Sequence, residues 1–142
     1  MQFFEQLYLH PMLVHFPIAL FTSALILELM SRLLNKELFH QAAVTVYVLA
    51  VCLTPLAVLT GLRQEDELHL KHPILEIHER FALITLWGSL ASLPAFWFIH
   101  KCSTKVFKNI FLAVLFVVVV CVSVTAYNGG RMVYEYGIGV AQ

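Results

Sequence analysis

Histidines are the residues of this sequence with the clearest chemical potential, and five of the seven precede or follow long apolar segments on one predicted side of a membrane. An imidazole can bind a metal, carry a proton or change charge near neutral pH. Ionisable side chains close to hydrocarbon are costly and usually mark function. The five are His10, His15, His69, His72 and His78, whereas His40 and His100 fall in short links on the other side.

Two of these histidines begin similar stretches. His15–Thr22 and His78–Thr85 both read His-x-x-x-Ala-Leu-x-Thr, and a Gly-x-Arg motif follows each about 50 residues later, at Gly61–Arg63 and Gly129–Arg131. The two histidine-to-glycine separations are 46 and 51 residues (61 − 15 and 129 − 78). The pattern predicts two helical hairpins repeated in parallel about an axis along the membrane normal. It makes the two histidines equivalent, so that they face each other at one depth.

Helical spacing predicts that both histidines point inward. Small and polar residues recur every three or four positions after each histidine, and such residues allow close approach and avoid lipid. The two stripes are His15, Ala19 and Thr22, and His78, Ala82, Thr85, Ser89 and Ser92.

A haem b held by two axial imidazoles would use these features. His15 and His78 are the predicted iron ligands, and Ala19 and Ala82 leave room for the ring. Three further residues at the membrane surface are predicted to hold the propionates: Arg63, Arg131 and Tyr134.

Two acidic features admit other interpretations. His72, Glu76 and Glu79 stand at i, i+4 and i+7, which suits a zinc or iron site. A solvated helix face with an ordinary Glu76–Arg80 pair explains the same spacing, and we favour this explanation.

Glu28 lies alone among apolar residues. It either relays protons or pairs with the arginine four residues later, and we favour the pairing.

The elements that must position these residues are transmembrane helices. The 142-residue chain is 60% hydrophobic and 13% charged, with mean hydropathy +0.80, whereas soluble proteins have about 25% charged residues. The links between the first and second helices and between the third and fourth helices are short. We therefore expect a single all-α domain, 1–142, which forms an up-down-up-down bundle in the bilayer. The four segments of about 20 apolar residues are Met12–Leu34, Ala42–Leu62, Phe81–Ile99 and Phe107–Tyr127.

Charge then predicts orientation and partners. Five lysines and arginines flank the short links and four lie on the opposite face, so the short links are expected in the cytoplasm and both termini outside. We expect a bacterial inner-membrane protein. A net charge of zero and the absence of a polybasic run make nucleic acid an unexpected partner. The five on the short-link side are Arg32, Lys36, Lys101, Lys105 and Lys108, and the four on the opposite side are Arg63, Lys71, Arg80 and Arg131.

The two ends of the chain resemble the DUF2231 family of small predicted membrane proteins. His10–Leu20 fits its HPxxVHFPxAL pattern, and Asn128–Val140 fits GGxLVYxHGxGV, except that Met132 replaces leucine and Tyr136 replaces histidine. The resemblance covers the whole chain and implies a four-helix membrane domain in a redox setting, because relatives are joined to cytochrome c-type or Rieske-type domains. The motif positions that carry over are His10, His15, His78, Gly130, Val133, Tyr134, Gly137 and Gly139.

Three functions follow as hypotheses. The first is a membrane-embedded b-haem electron-transfer module that serves a membrane or extracytoplasmic redox partner. The second is a cofactor-free structural or assembly subunit whose inward polar stripes only pack helices. A metal or small-solute transporter is the least favoured, because four helices offer little room for a pathway.

Overall fold

Four long helices make up nearly all of the computed structural model, which describes residues 9–68, 71–102 and 104–138, apart from the side chains of 67–68, 98–102 and 104. Helix α1 has two segments, Leu9–Leu13 and His15–Leu34, joined at Val14, whose φ of −64° and ψ of −24° are helical. The other three helices are α2 (Glu37–Leu68), α3 (Pro73–Cys102) and α4 (Thr104–Tyr134). His69, Ile99, His100 and Gly139 lie outside the described backbone or side chains.

The helices extend beyond the predicted spans because the flanking polar residues continue the same helical turns. Between α1 and α2 only two residues break the helix, and the first, Asn35, takes the left-handed conformation with φ 51°. Asparagine tolerates this region better than most residues, and the following amide, of Lys36, bonds back to the Ser31 carbonyl at 3.2 Å. A two-residue link leaves α2 antiparallel to α1, as predicted.

Each helix packs on its chain neighbours, and α1 also packs on α4, so the helices close into a ring. The start of α1 and the end of α2 meet the start of α3 and the end of α4 at one end of the bundle, which we call the histidine end. The short-link end contains the junctions α1–α2 and α3–α4. The predicted antiparallel four-helix bundle is confirmed.

The core is an aromatic cluster toward the short-link end to which every helix contributes at least one large ring. Tyr47 of α2 lies with its ring centroid 5.5 Å from that of Phe21 (α1), 5.7 Å from Phe96 (α3) and 5.5 Å from Phe111 (α4). Its hydroxyl bonds to the Ser92 hydroxyl at 2.7 Å, which satisfies both polar groups in an apolar interior. The inward serines and threonine predicted on α3 are indeed buried.

The outer surface is apolar along the helices. Trp87 and Trp97 are 66% and 60% exposed, and Phe116 is 59% exposed. Soluble proteins rarely expose so many large apolar side chains. Three helices, Leu9–Leu34, Glu37–Asp66 and Lys105–Tyr134, are long and apolar enough to cross a membrane among the described residues. These surfaces contact the lipid bilayer.

Candidate functional site

His10, at the start of α1, is fixed against α2 at the histidine end. Its Nδ1 donates to the Ala57 carbonyl at 2.9 Å. The ring lies on Gly61, where an added Cβ would be 2.7 Å from His10 Cε1. In a helix the carbonyl of residue i lies beneath residue i+4. Because Gly61 has no side chain, the His10 ring can reach the Ala57 carbonyl, which also accepts from the Thr60 hydroxyl at 2.9 Å.

His78, at the start of α3, repeats this arrangement against α4. Its Nδ1 donates to the Thr125 carbonyl at 2.8 Å, and its ring lies on Gly129, where an added Cβ would be 3.2 Å from His78 Cε1. Thr125 again precedes the glycine by four residues. The two histidines therefore perform the same local task in the two hairpins.

The structure fixes the register of the internal repeat at 68 residues. His10 and His78, Ala57 and Thr125, and Gly61 and Gly129 are each 68 residues apart. The buried positions agree: Pro17, Phe21, Ala24 and Glu28 of α1 correspond to Thr85, Ser89, Ser92 and Phe96 of α3, which are also buried. The contacts of the two hairpins therefore correspond at an offset of 68 residues, not at the 63 residues (78 − 15) predicted from the sequence.

The correction changes the partner of His78 from His15 to His10. Five residues along a helix correspond to a rotation of roughly 140°, so the stripe that begins at His15 leaves the buried face of α1, although His15 itself lines the same cavity as His10 and His78. His15, Ala19 and Thr22 are all exposed. The His15 Nδ1 bonds only within its own helix, to the Pro11 carbonyl. The predicted inward stripe on α1 is therefore wrong for Ala19 and Thr22, whereas the one on α3 is confirmed.

The two inward histidines meet across the bundle axis. Their ring centroids are 6.3 Å apart, and the ring planes cross at 84°. A cavity of about 660 Å³ surrounds them, within the usual range of about 300–1,000 Å³ for cofactor sites. Its lining is predominantly apolar and includes Val14, Ala82, Leu83 and Val122.

The hydrogen bonds determine which ring nitrogens can act as ligands. A carbonyl oxygen only accepts, so Nδ1 carries the proton in both His10 and His78, and Nε2 of each neutral ring keeps its lone pair. Metal-binding histidines commonly show this anchoring of the second nitrogen on a backbone carbonyl. Each ring therefore offers one nitrogen lone pair as a possible metal ligand.

The other predicted haem residues divide into two groups. Ala82, Tyr134 and His15 line the cavity, whereas Ala19 and Arg63 do not. Arg131 pairs with Glu135, its Nε lying 2.8 Å from the carboxylate. Two carboxylates, Glu65 and Glu79, line the cavity and were not predicted to do so.

The alternative metal site is not assembled. His72 precedes α3 instead of standing on its face: its carbonyl accepts the first amide bonds of the helix, and its Nδ1 accepts from the Ile74 amide at 3.3 Å. Its ring lies 4.5 Å from that of Tyr136. Among the described residues no three histidine, cysteine or acidic side chains group as metal ligands.

Tyr136 and Gly137 show how the C-terminal motif closes α4. Gly137 has φ 63°, the left-handed conformation that glycine adopts without penalty at helix ends. The next amide, of Ile138, bonds to the Met132 carbonyl at 2.8 Å, and the Ile138 side chain is buried. The chain thereby folds back, and Ile138 joins the wall of the cavity.

Substitution of the two glycines in α2 and α4 tests this packing. We expect Gly61→Ala to lower the free energy of unfolding by about 1–3 kcal/mol, because its Cβ overlaps the imidazole of His10. Gly130→Ala is the matched control, since nothing lies within 4 Å of its Cβ. It should raise stability by up to about 1 kcal/mol through helix propensity. Denaturant unfolding of both variants in one detergent measures the difference, and equal effects would contradict the packing.

Comparison with known proteins agrees with the fold. The model of a family described as "Predicted membrane protein (DUF2231)" matches residues 6–142, which is essentially the whole chain. No curated protein and no solved structure matches it. Both the inward histidines and the two helix ends that hold them lie inside the matched range. The chain belongs to the DUF2231 family of predicted membrane proteins.

Proposed function

We propose that the protein is a membrane-embedded b-type haem electron-transfer module, with His10 and His78 as the axial ligands. The observation that carries the proposal is the pair of Nδ1–carbonyl bonds, 2.9 and 2.8 Å long, which leave two Nε2 lone pairs in one cavity. Bis-imidazole ligation is a standard way to hold a low-spin haem, and axial ligands together with the surrounding apolar wall set its potential.

The volume and the apolar lining of the cavity support this proposal. The two ligands would come from positions of the two hairpins that make the same contacts. Ala82 offers a small side chain beside His78 on the cavity wall. Tyr134 would hold a propionate, and Arg131, one turn earlier on the same side of α4, adds positive charge at the surface. Glu65 and Glu79 favour a propionate position away from α2 and the start of α3.

A bound haem would supply one-electron transfer, and the protein would supply ligands, orientation and a low-dielectric wall. The site lies at one end of the bundle, where His10 and His78 begin their helices. Electrons at that depth would still have most of the bilayer to cross. The module therefore requires a redox partner protein at the histidine end or a second carrier within the membrane.

The orientation that we propose places the histidine end outside the cytoplasm, with both termini. The lysines and arginines of the short-link end support it through the positive-inside rule. C-terminal fusions to alkaline phosphatase and to a cytoplasm-dependent fluorescent protein provide the measurement. Phosphatase activity without fluorescence is expected, and the opposite pattern would reverse the orientation.

A cofactor-free structural subunit is the second candidate, and one observation favours it. Every buried side-chain nitrogen and oxygen in the described part of the chain already has a hydrogen-bond partner. The histidine–carbonyl bonds alone tie α1 to α2 and α3 to α4. In this function the histidines fasten the helices of each hairpin, and the cavity is filled by lipid or by a partner helix.

Absorption spectroscopy of the purified protein separates the two candidates. Protein from haem-replete cells should show a Soret band and, after reduction by dithionite, the sharp α band of low-spin b haem, with one haem per chain by pyridine haemochrome assay. A folded protein that is colourless, and stays so after incubation with hemin, would exclude the haem function and support the structural one.

A further inference from the structure

The short-link end of the bundle contains a second cavity, far from the histidines and different in character. It measures about 400 Å³ and lies where α1 meets α4. Four cationic and two acidic side chains line it: Arg32, Lys36, Lys105 and Lys108, and Glu28 and Glu37. The cavity thus has polar walls at a level where the helices leave the hydrocarbon.

Two of the cations are already neutralised. Arg32 Nε lies 3.2 Å from the Glu28 carboxylate, and its other nitrogens donate to Asn109 Oδ1 at 3.0 Å and to the Lys108 carbonyl at 2.6 Å. Lys108 pairs with Glu37. These bonds join the two hairpins, and they leave the charges of Arg32 and Lys108 balanced.

Lys36 and Lys105 remain without an ion-pair partner among the described residues. Lys36 comes from the α1–α2 junction and Lys105 from the first turn of α4, so the two hairpins contribute one charge each. The four cations and two carboxylates that line the cavity therefore give it a net charge of +2, which suits an anion placed between the hairpins.

The surroundings indicate an anion that is attached to lipid. Leu33 and Leu38, on either side of the α1–α2 junction, are 83% and 72% exposed. Leu33 directly follows Arg32 and Leu38 directly follows Glu37, two residues that line the cavity. Exposed apolar side chains at these positions match a molecule with an anionic headgroup and acyl chains. Basic pockets between transmembrane helices bind such headgroups on the cytoplasmic side.

We propose that this cavity binds the phosphodiester headgroup of an anionic phospholipid, with Lys36 and Lys105 as the charged contacts. The bound lipid would bridge the two hairpins at the end opposite the histidines. The proposal does not depend on haem, because no residue of the histidine cavity takes part. Its partners in the bilayer are phospholipids with a net negative charge, such as phosphatidylglycerol.

The test uses the full-length protein in detergent, titrated with phosphatidylglycerol or with phosphatidylcholine and followed by native mass spectrometry. Lys36→Gln/Lys105→Gln should weaken phosphatidylglycerol binding about 30-fold, since each lysine near an anionic lipid contributes about fivefold. Binding of the zwitterionic lipid should not change. Arg63→Gln/Lys71→Gln is the control, because it removes the same charge from exposed positions at the histidine end.

Three results would overturn the proposal. One is equal weakening by both double variants, which would mean that only net charge matters. Another is equal binding of the two lipids by the unmodified protein. The third is displacement of phosphatidylglycerol by millimolar inorganic phosphate, which would make the site one for a free anion. Both lysines are exposed, so the midpoints of thermal unfolding should stay close to that of the unmodified protein.

Discussion

His10→Ala and His78→Ala should each abolish the low-spin b-haem spectrum, whereas His15→Ala should leave it intact. The two inward rings lie 6.3 Å apart. Each ring packs on a glycine of the neighbouring helix and donates a hydrogen bond to a backbone carbonyl of that helix. Removal of either ring leaves at most one axial imidazole. We expect the reduced α band to disappear and the affinity for haem to fall by at least about tenfold, because one metal-ligand bond is lost.

The three variants form a matched set because each removes one imidazole near the same cavity. His15 differs in that its ring is exposed and bonded within its own helix. His10→Gly provides a second check, since added imidazole can occupy the vacated space and restore the low-spin band. Loss of the band in His15→Ala with retention in His10→Ala would contradict the ligand assignment. Helical circular dichroism of each variant shows whether it has folded.

The sequence predicted the bundle because lipid imposes strong constraints. Four apolar stretches and two short links leave few arrangements besides an antiparallel bundle. The inward stripe on α3 was also predictable, since Thr85, Ser89 and Ser92 recur with helical spacing and would be costly against lipid. On α1 the same argument failed. Its buried positions include Phe21 and Ala24, which in an apolar helix look no different from residues that face lipid.

The offset between the two hairpins determines whether His10 or His15 corresponds to His78, and the sequence did contain evidence for the correct offset. Gly61 and Gly129 are each 51 residues after an inward histidine, and the motifs at Thr60 and Asn128 share the same 68-residue offset. The local identity between His15–Thr22 and His78–Thr85 predicts a different offset, of 63 residues. If a histidine packs on a glycine in both hairpins, the histidine-to-glycine separation must be the same in both. Equal separation was therefore the better physical criterion for choosing the inward histidine.

Other parts of the site could not be predicted from spacing at all. The Glu65 and Glu79 carboxylates enter the cavity because α2 continues to Leu68 and α3 begins at Pro73, well inside the segment predicted as a link. Tyr136 contacts His72 from a position two residues beyond the end of α4 at Tyr134. Both contacts depend on where helices end, which apolar periodicity does not determine.

Glu28→Ala should be among the most destabilising single substitutions, at about 3 kcal/mol. The carboxylate is 1% exposed and lies 2.6 Å from His40 Nδ1 and 3.2 Å from Arg32 Nε. The predicted pairing with Arg32 is thus confirmed, and His40, itself buried, is a second partner. Removal of the shared acceptor leaves His40 between Phe107 and Phe111 without a bond for Nδ1. Breaking a buried pair on one side typically costs about 3–5 kcal/mol.

Glu37→Ala is the control, because it removes a carboxylate from an ion pair at the same end of the bundle. The Glu37 side chain is 56% exposed, and exposed pairs contribute about 0–1 kcal/mol. Denaturant unfolding of both variants in one detergent gives the comparison, and the variants His40→Ala and Glu28→Ala/His40→Ala complete a cycle that isolates the pair. A cost for Glu28→Ala no larger than that for Glu37→Ala would mean that water reaches the carboxylate. A cost near 3 kcal/mol for Glu28→Ala that falls when His40 is also removed would instead show that this pair is a main stabilising contact between α1 and α2 at the short-link end.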